Sequence, residues 1–303
     1  MRVLIVGCGY VGLSLGADLA RQGHEVLGVR RSAGAAPELE AAGLRLVVAD
    51  VTNPAELAKL PGPFDWVVNC ASASGGGVEE YRRIYLEGNR NLMAVLTGTP
   101  LKKFVYTSST GVYGQNDGAL VKETHPTEPA TEAGQVLVEA EKLLLGAQQQ
   151  CGFPAVVLRV AGIYGPGRGH YLKQFLKNEA RIEGRGERLL NMIHRDDVAG
   201  VIHAALRRAR AGEIFNAVDD EPVTQATFLR WLAEELGKWP PPSVPEDTDV
   251  VRKRGVTNKR VSNRKLKMEL GYAFKYPNFR MGFSAEVQRL MEAGELHSEP
   301  DPR

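Results

Sequence analysis

The chain has 303 residues, 43% hydrophobic and 24% charged, an ordinary globular balance with room for one large domain or one and a half. A net charge of +2 argues for no polyanionic partner, so nucleic acid is not expected, and no run of 18 apolar residues suggests a membrane span. Three widely separated cysteines, Cys8, Cys70 and Cys151, suggest neither a disulfide framework nor a metal site; with a first strand in place of a leader, they point to a reducing, cytoplasmic setting.

Residues 1–7 (MRVLIVG) read as a strand and run into Gly7, Gly9 and Gly12 as GCGYVG. Val11, Leu15 and Leu19 then repeat at helical spacing, and residues 25–29 form a second strand ending in Arg30, Arg31 and Ser32. Strand, glycine turn, helix and strand make one right-handed crossover unit. One glycine permits the tight turn, one lets the backbone approach a pyrophosphate, and one lets the helix pack closely on the sheet. Tyr10 leads into a helix expected from Val11 to Gln22, whose free N–H groups and positive end favour that phosphate. An acidic residue at the end of the second strand would hold the ribose hydroxyls of NAD. Here Arg30, Arg31 and Ser32 stand instead, and guanidinium groups suit a 2′-phosphate, so NADP(H) is favoured over NAD(H).

Further strands are expected at residues 45–50, 65–71, 103–109 and 155–160, with helices at 37–43, 79–96 and 133–149. Asp50 and Val51 close the third strand, where the aspartate could meet an adenine amine or cap the next short helix. The fourth ends in Ala71 and a flexible loop at 72–77, on the side where open α/β sheets bind ligands. Residues 114–133 read as a loop. Beyond Gly165 the alternation changes. A helix at 172–181, a short strand at 188–194, a helix at 196–210, a strand at 213–218 and a helix at 224–236 capped by Thr224 are followed by a Pro-rich linker at 239–249 and helices at 262–270 and 283–293. The expected organisation is a doubly wound parallel sheet. Residues 1–165 form the dinucleotide-binding core, 166–294 mainly a substrate lobe with late elements returning to the core, and 295–303 a frayed tail.

VYTSSTGVYG (105–114), LRVAGIYGPG (158–167), IHRDDVA (193–199) and FNAVDDEPVT (215–224) together resemble the extended short-chain dehydrogenase/reductase superfamily, and more narrowly its NAD-dependent epimerase/dehydratase family. The resemblance places a catalytic hydroxyl on Ser109 and brings Ile163 to the nicotinamide end. It also implies that arginines of the C-terminal region grip an anionic substrate such as a nucleotide sugar, here Arg260 and Arg264, with Arg168 of the GPGRG loop as a further candidate. Relatives often pair helices such as 133–149 across a homodimer.

The family's Tyr-x-x-x-Lys pair is missing. Its positions fall on Ala133 and Leu137, and no Tyr-x-x-x-Lys occurs anywhere in the chain. A tuned proton donor typically contributes about 10²–10⁴ in rate, so another group must substitute or turnover is impaired. Ser109 and Tyr113 are the leading candidates, with Thr110, Glu132 and Tyr164 behind them. His194, Asp196 and Asp197 read as structural, the aspartates as helix caps. The expectation is an NADP(H)-binding oxidoreductase or epimerase acting on a small carbonyl, aldehyde or nucleotide-sugar substrate. The alternative is a catalytically impaired NADP(H)-binding sensor.

Overall fold

The computed structural model describes residues 1–75, 77–245 and 257–296. Seven strands form one parallel sheet: β1 (Arg2–Val6), β2 (Glu25–Arg30), β3 (Arg45–Val48), β4 (Trp66–Asn69), β5 (Lys103–Ser109), β6 (Ala155–Val160) and β7 (Ile214–Ala217). Their spatial order is β7-β6-β5-β4-β1-β2-β3, so the direction of winding reverses between β1 and β4. The strands read as near-continuous apolar runs because both faces are covered. Val3, Ile5, Val68, Val105 and Val156 pack into one layer, and Leu4, Val6, Val67, Phe104 and Val157 into the opposite one.

Helix α1 (Tyr10–Arg21) buries Leu15 and Leu19 in the first layer, together with Val198, Val201, Ile202 and Ala205 of α3 (Arg195–Arg208). Helix α2 (Glu132–Cys151) covers the opposite face with Val136, Leu137, Ala140 and Leu144. It starts at Thr131, whose hydroxyl accepts from the Gly134 N–H at 3.2 Å, and stops at Gly152 in the left-handed region. Its neighbour runs as Val78–Tyr81, a π turn Arg82–Glu87, and Gly88–Leu96. A third apolar cluster, built on Leu172, Phe175, Phe228, Phe279 and Phe283, gives residues after Gly165 their own core. Both β7 and α3 nevertheless return to the sheet.

Several expected boundaries move. The helix expected at 172–181 is His170–Leu176 and ends before Asn178, which adopts φ 58°. The strand expected at 188–194 is two short pieces, Leu189–Leu190 and Met192–His194, each with a different partner. The loop at 114–133 holds Leu120–Val121, which pairs in parallel with Arg260–Val261. The start of the 239–249 linker contributes Ser243–Val244, paired with Ile182–Glu183. Residues 246–249 of that linker, the following residues 250–256, and 297–303 of the expected tail lie outside the described residues.

The cap assignments also change. Asp50 accepts from the N–H and hydroxyl of Thr52, and Asn53 caps the next helix. At α3 the cap is His194, whose Nδ1 accepts from Asp196 N–H at 3.2 Å. Asp197 instead takes the N–H groups of Lys275 and Tyr276 at 2.7 and 2.9 Å and the Tyr272 hydroxyl at 2.8 Å, tying the C-terminal segment to α3.

Candidate active site

Two adjoining cavities open at the carboxyl ends of the strands, where the winding reverses. The first, about 330 Å³, is lined by Arg30, Arg31, Asp50 and Val51 at one end, beyond β2 and the edge strand β3. Gly7, Gly9, Tyr10, Val11 and Ala71 line its middle, beyond β1 and β4, and Ser109, Ile163 and Arg168 its other end. The second, about 300 Å³, shares Ser109, Ala161 and Ile163 with the first and continues to Arg188, Asn191 and Lys259. Both volumes lie in the range of small-ligand sites.

The glycines divide their work as their spacing suggests. Gly7 takes φ +77°, and a Cβ there would stand 2.4 Å from the backbone of Ala71. Gly12 does not line the cavity; a Cβ there would meet Gly7 O and Ile5 at 2.9 Å, so it sets the approach of α1 to β1. A Cβ on Gly9 would meet the Arg30 guanidinium at 3.0 Å and otherwise project into open space. Helix α1 has no side-chain cap, so its first N–H groups face outward at Gly9. The Tyr10 hydroxyl is buried without a hydrogen-bond partner among the described residues. The guanidiniums of Arg168 and Arg195 each lie 5.2 Å from its ring centre, and burial pushes the phenol up to about 12. An open backbone cradle with uncapped N–H groups fits a dinucleotide pyrophosphate.

Arg30 lies at the end of β2 and pairs with Glu38 at 2.7 Å. Arg31 is exposed and makes no ion pair among the described residues. Ser32 is outside the cavity lining; its hydroxyl accepts from Gly34 N–H at 3.2 Å and caps the turn Ala33–Ala35. Ser109, 7% exposed, faces both cavities while its Oγ accepts from Gly111 N–H at 3.1 Å. Ser109 thus caps a turn and also stands at the boundary where two ligands would meet.

Tyr113 is a correction. It is fully buried, lines neither cavity, and its hydroxyl donates to Asn216 Oδ1 at 2.8 Å and accepts from Arg159 Nη1 at 2.7 Å. Burial raises its pKa, and its phenol belongs to a structural network rather than to the cleft. Arg159 also pairs with Glu141 at 2.7 Å, and Glu141 accepts from Ser108 at 2.6 Å, so β5, β6, β7 and α2 are linked beneath Ser109. Arg260 and Arg264 are corrections too. Both are exposed and line neither cavity, and Arg264 lies against Met268. The cations that do line the second cavity, Arg188 and Lys259, are not singled out by spacing. His194 is 2% exposed, packs 3.9 Å from the Tyr276 ring, and is held down to about 4 by burial, so at neutral pH it is an uncharged cap. Ala133 and Leu137, where the Tyr/Lys pair would stand, are 6% and 3% exposed and packed in the core.

Burial pushes the Cys8 thiol up to about 12 and raises Cys70 as well, so neither is a nucleophile near neutral pH. Among the described residues no cluster of His, Cys, Asp and Glu could hold a metal ion, and no helix is long and apolar enough to cross a membrane.

Protein YeeZ of Escherichia coli (strain K12) is 28% identical over 282 residues, which cover 91% of this chain and 97% of YeeZ. A UDP-glucose 4-epimerase of Corynebacterium glutamicum is 25% identical over 309 residues, covering 92% and 93%. The solved dTDP-glucose 4,6-dehydratase DesIV of Streptomyces venezuelae, with NAD and TYD bound, has the same fold. Its TM-score is 0.84 at 21% identity, covering 98% of this chain and 99% of that one. A sequence model of the NAD dependent epimerase/dehydratase family matches residues 3–217, through the glycine turn, Ser109 and all seven sheet strands, and the chain belongs to that family.

Proposed function

We propose that the protein is an NADP(H)-dependent oxidoreductase or epimerase acting on a small, anionic carbonyl or sugar substrate. The observation that carries this reading is the continuous cleft from Arg30 and Arg31, through the glycine turn, to Ser109 and a second cavity lined by Arg188. Gly9, Tyr10 and Val11 would hold the pyrophosphate, and Ala71 and Ile163 would flank the nicotinamide half. The bound nicotinamide would supply or accept a hydride. Ser109 would position the substrate oxygen by a hydrogen bond, and Arg168 and Arg188 would attract its anionic group.

Arg31 would take the 2′-phosphate, since Glu38 already engages Arg30. Hydrogen bonds to charged groups contribute about 1.5–3 kcal/mol, or roughly 10–150-fold in affinity. Arg31→Asp is therefore expected to weaken NADPH binding by at least about tenfold while leaving NADH binding within about threefold. Equal losses in a fluorescence titration would show that Arg31 does not read the phosphate.

Turnover is tested by NADPH consumption across aldehydes, ketones and nucleotide sugars. Epimerase activity, in which the bound nucleotide is regenerated, is followed by product analysis. The apolar, buried Ala133 and Leu137 favour a second reading: a sensor that binds NADP(H) without turnover. Selective binding with no product from the whole panel would favour the sensor.

A further inference from the structure

The second cavity holds a buried cation that the glycine turn and Ser109 leave unexplained. Lys259 is 3% exposed and lines the second cavity together with Ser109 and Thr110. Its ammonium donates to the Tyr113 carbonyl at 2.9 Å and to the Thr257 hydroxyl at 2.8 Å. An ammonium has three N–H donors, so one remains without a partner among the described residues. No carboxylate of the described residues lies within ion-pairing distance, and the cavity lining contains neither Asp nor Glu.

Burying a lysine without a counter-ion is costly, and a purely structural role is met more cheaply by a neutral side chain. Burial alone pushes the Lys259 ammonium down to about 8. A donor or acceptor near the working pH is what proton transfer needs. The other titratable or charged groups facing the cavity are Arg188, His170, Tyr164 and Tyr171, with Arg159 and Glu123 behind Tyr113. Tyr164 is the poorer donor: its pKa is raised far above neutrality by burial, and its hydroxyl donates to Asn278 O at 3.3 Å.

The geometry points to Lys259 as the proton donor that replaces the absent Tyr-x-x-x-Lys pair, delivering a proton to the oxygen of a carbonyl substrate placed against Ser109. This rests on the oxidoreductase reading above. In reduction, the carbonyl π pair moves onto oxygen as a hydride from the reduced nicotinamide reaches the carbon. One N–H bond of Lys259 breaks and an O–H bond forms on the product. The resulting neutral amine regains its proton from water. In the oxidising direction the neutral amine takes the hydroxyl proton.

The experiment compares wild type with Lys259→Met and Lys259→Arg, the second keeping the charge but not a transferable proton. NADPH binding is expected to stay within about threefold in both, because Lys259 lies outside the first cavity. The kcat for carbonyl reduction should fall on the order of 10²–10⁴-fold in both. Wild-type kcat should decline as pH rises through about 8. A readout independent of turnover is NMR of lysine carrying ¹³Cε and ¹⁵Nζ, in protein without nucleotide. One resonance, absent from Lys259→Arg, should titrate near pH 8 while exposed lysines titrate near ~10.4. Either variant keeping kcat within threefold of wild type, or a Lys259 resonance titrating with the exposed lysines, would overturn the donor role. Turnover by wild type and by Lys259→Met alike would remove the donor and leave the oxidoreductase reading standing. A wild type inert toward the whole panel would remove both.

Discussion

Glu141→Ala is expected to destabilise the protein by about 3–5 kcal/mol, because it leaves the Arg159 guanidinium buried without a counter-ion. Glu141 and Arg159 are 3% and 4% exposed, and the carboxylate meets Nη2 at 2.7 Å and Nε at 3.1 Å. Arg159 stands on β6, inside the sheet, and its Nη1 donates to the Tyr113 hydroxyl and the Glu123 carbonyl. The charge therefore has no route to solvent. Removing both partners is different, since apolar replacements of similar volume often make such sites neutral or more stable. Glu141→Leu combined with Arg159→Met should recover most of the loss in urea unfolding. A single-mutant cost below about 1 kcal/mol would mean that water reaches the pair. The network also fixes the floor under Ser109, so Glu141→Ala should lower turnover as well as stability.

Gly7→Ala should cost on the order of 2–5 kcal/mol, from the left-handed backbone together with overpacking. The added methyl would press on the main chain of Ala71 at 2.4 Å, and no rotamer change can move it away. Gly9→Ala provides the contrast. Gly9 has φ −103°, and the only close neighbour of an added Cβ is the flexible end of Arg30. Stability should stay within about 1 kcal/mol, while nucleotide affinity falls at least tenfold because the methyl occupies the phosphate cradle. Urea unfolding and an NADPH titration on both variants separate the two roles. If Gly9→Ala bound NADPH normally, the cradle would not be the phosphate site.

The unit from Arg2 to Arg30 is legible in the sequence because everything it needs is local: an apolar run, three glycines and a helical repeat within thirty residues. The bounds of β5 and β6 are legible for a similar reason, since strands covered on both faces read as uninterrupted apolar runs. The second cavity is not local. Lys259 turns inward and Arg260 outward because Arg260–Val261 pairs with Leu120–Val121, far away in the chain. In sequence the two basic residues look alike, so the arginines draw attention and the lysine does not. Tyr113 misleads in the same way. It lies four residues past Ser109, but its partners Arg159 and Asn216 come from β6 and β7, and they draw the phenol under the sheet. At α3 two aspartates in the first turn suggest caps, yet Asp197 is claimed by backbone N–H groups of residues 275 and 276, and the histidine before them takes the cap. At Lys259, Tyr113 and Asp197 the direction of the side chain is set by a distant partner, whereas Ser32 and Asp50 turn to neighbours two residues on.

The cleft between Arg31 and Ser109 is proposed to hold NADP(H). Thermal or urea unfolding with saturating NADPH, NADP⁺, NADH and NAD⁺ tests it most directly. A nucleotide at about 100 times its dissociation constant adds about 2.7 kcal/mol of stability. A site in which Arg31 takes the 2′-phosphate should show that gain with NADPH and NADP⁺ and a clearly smaller one with NADH and NAD⁺ at equal concentration. No gain with any of the four would contradict the cofactor site itself, and equal gains would contradict the role given to Arg31.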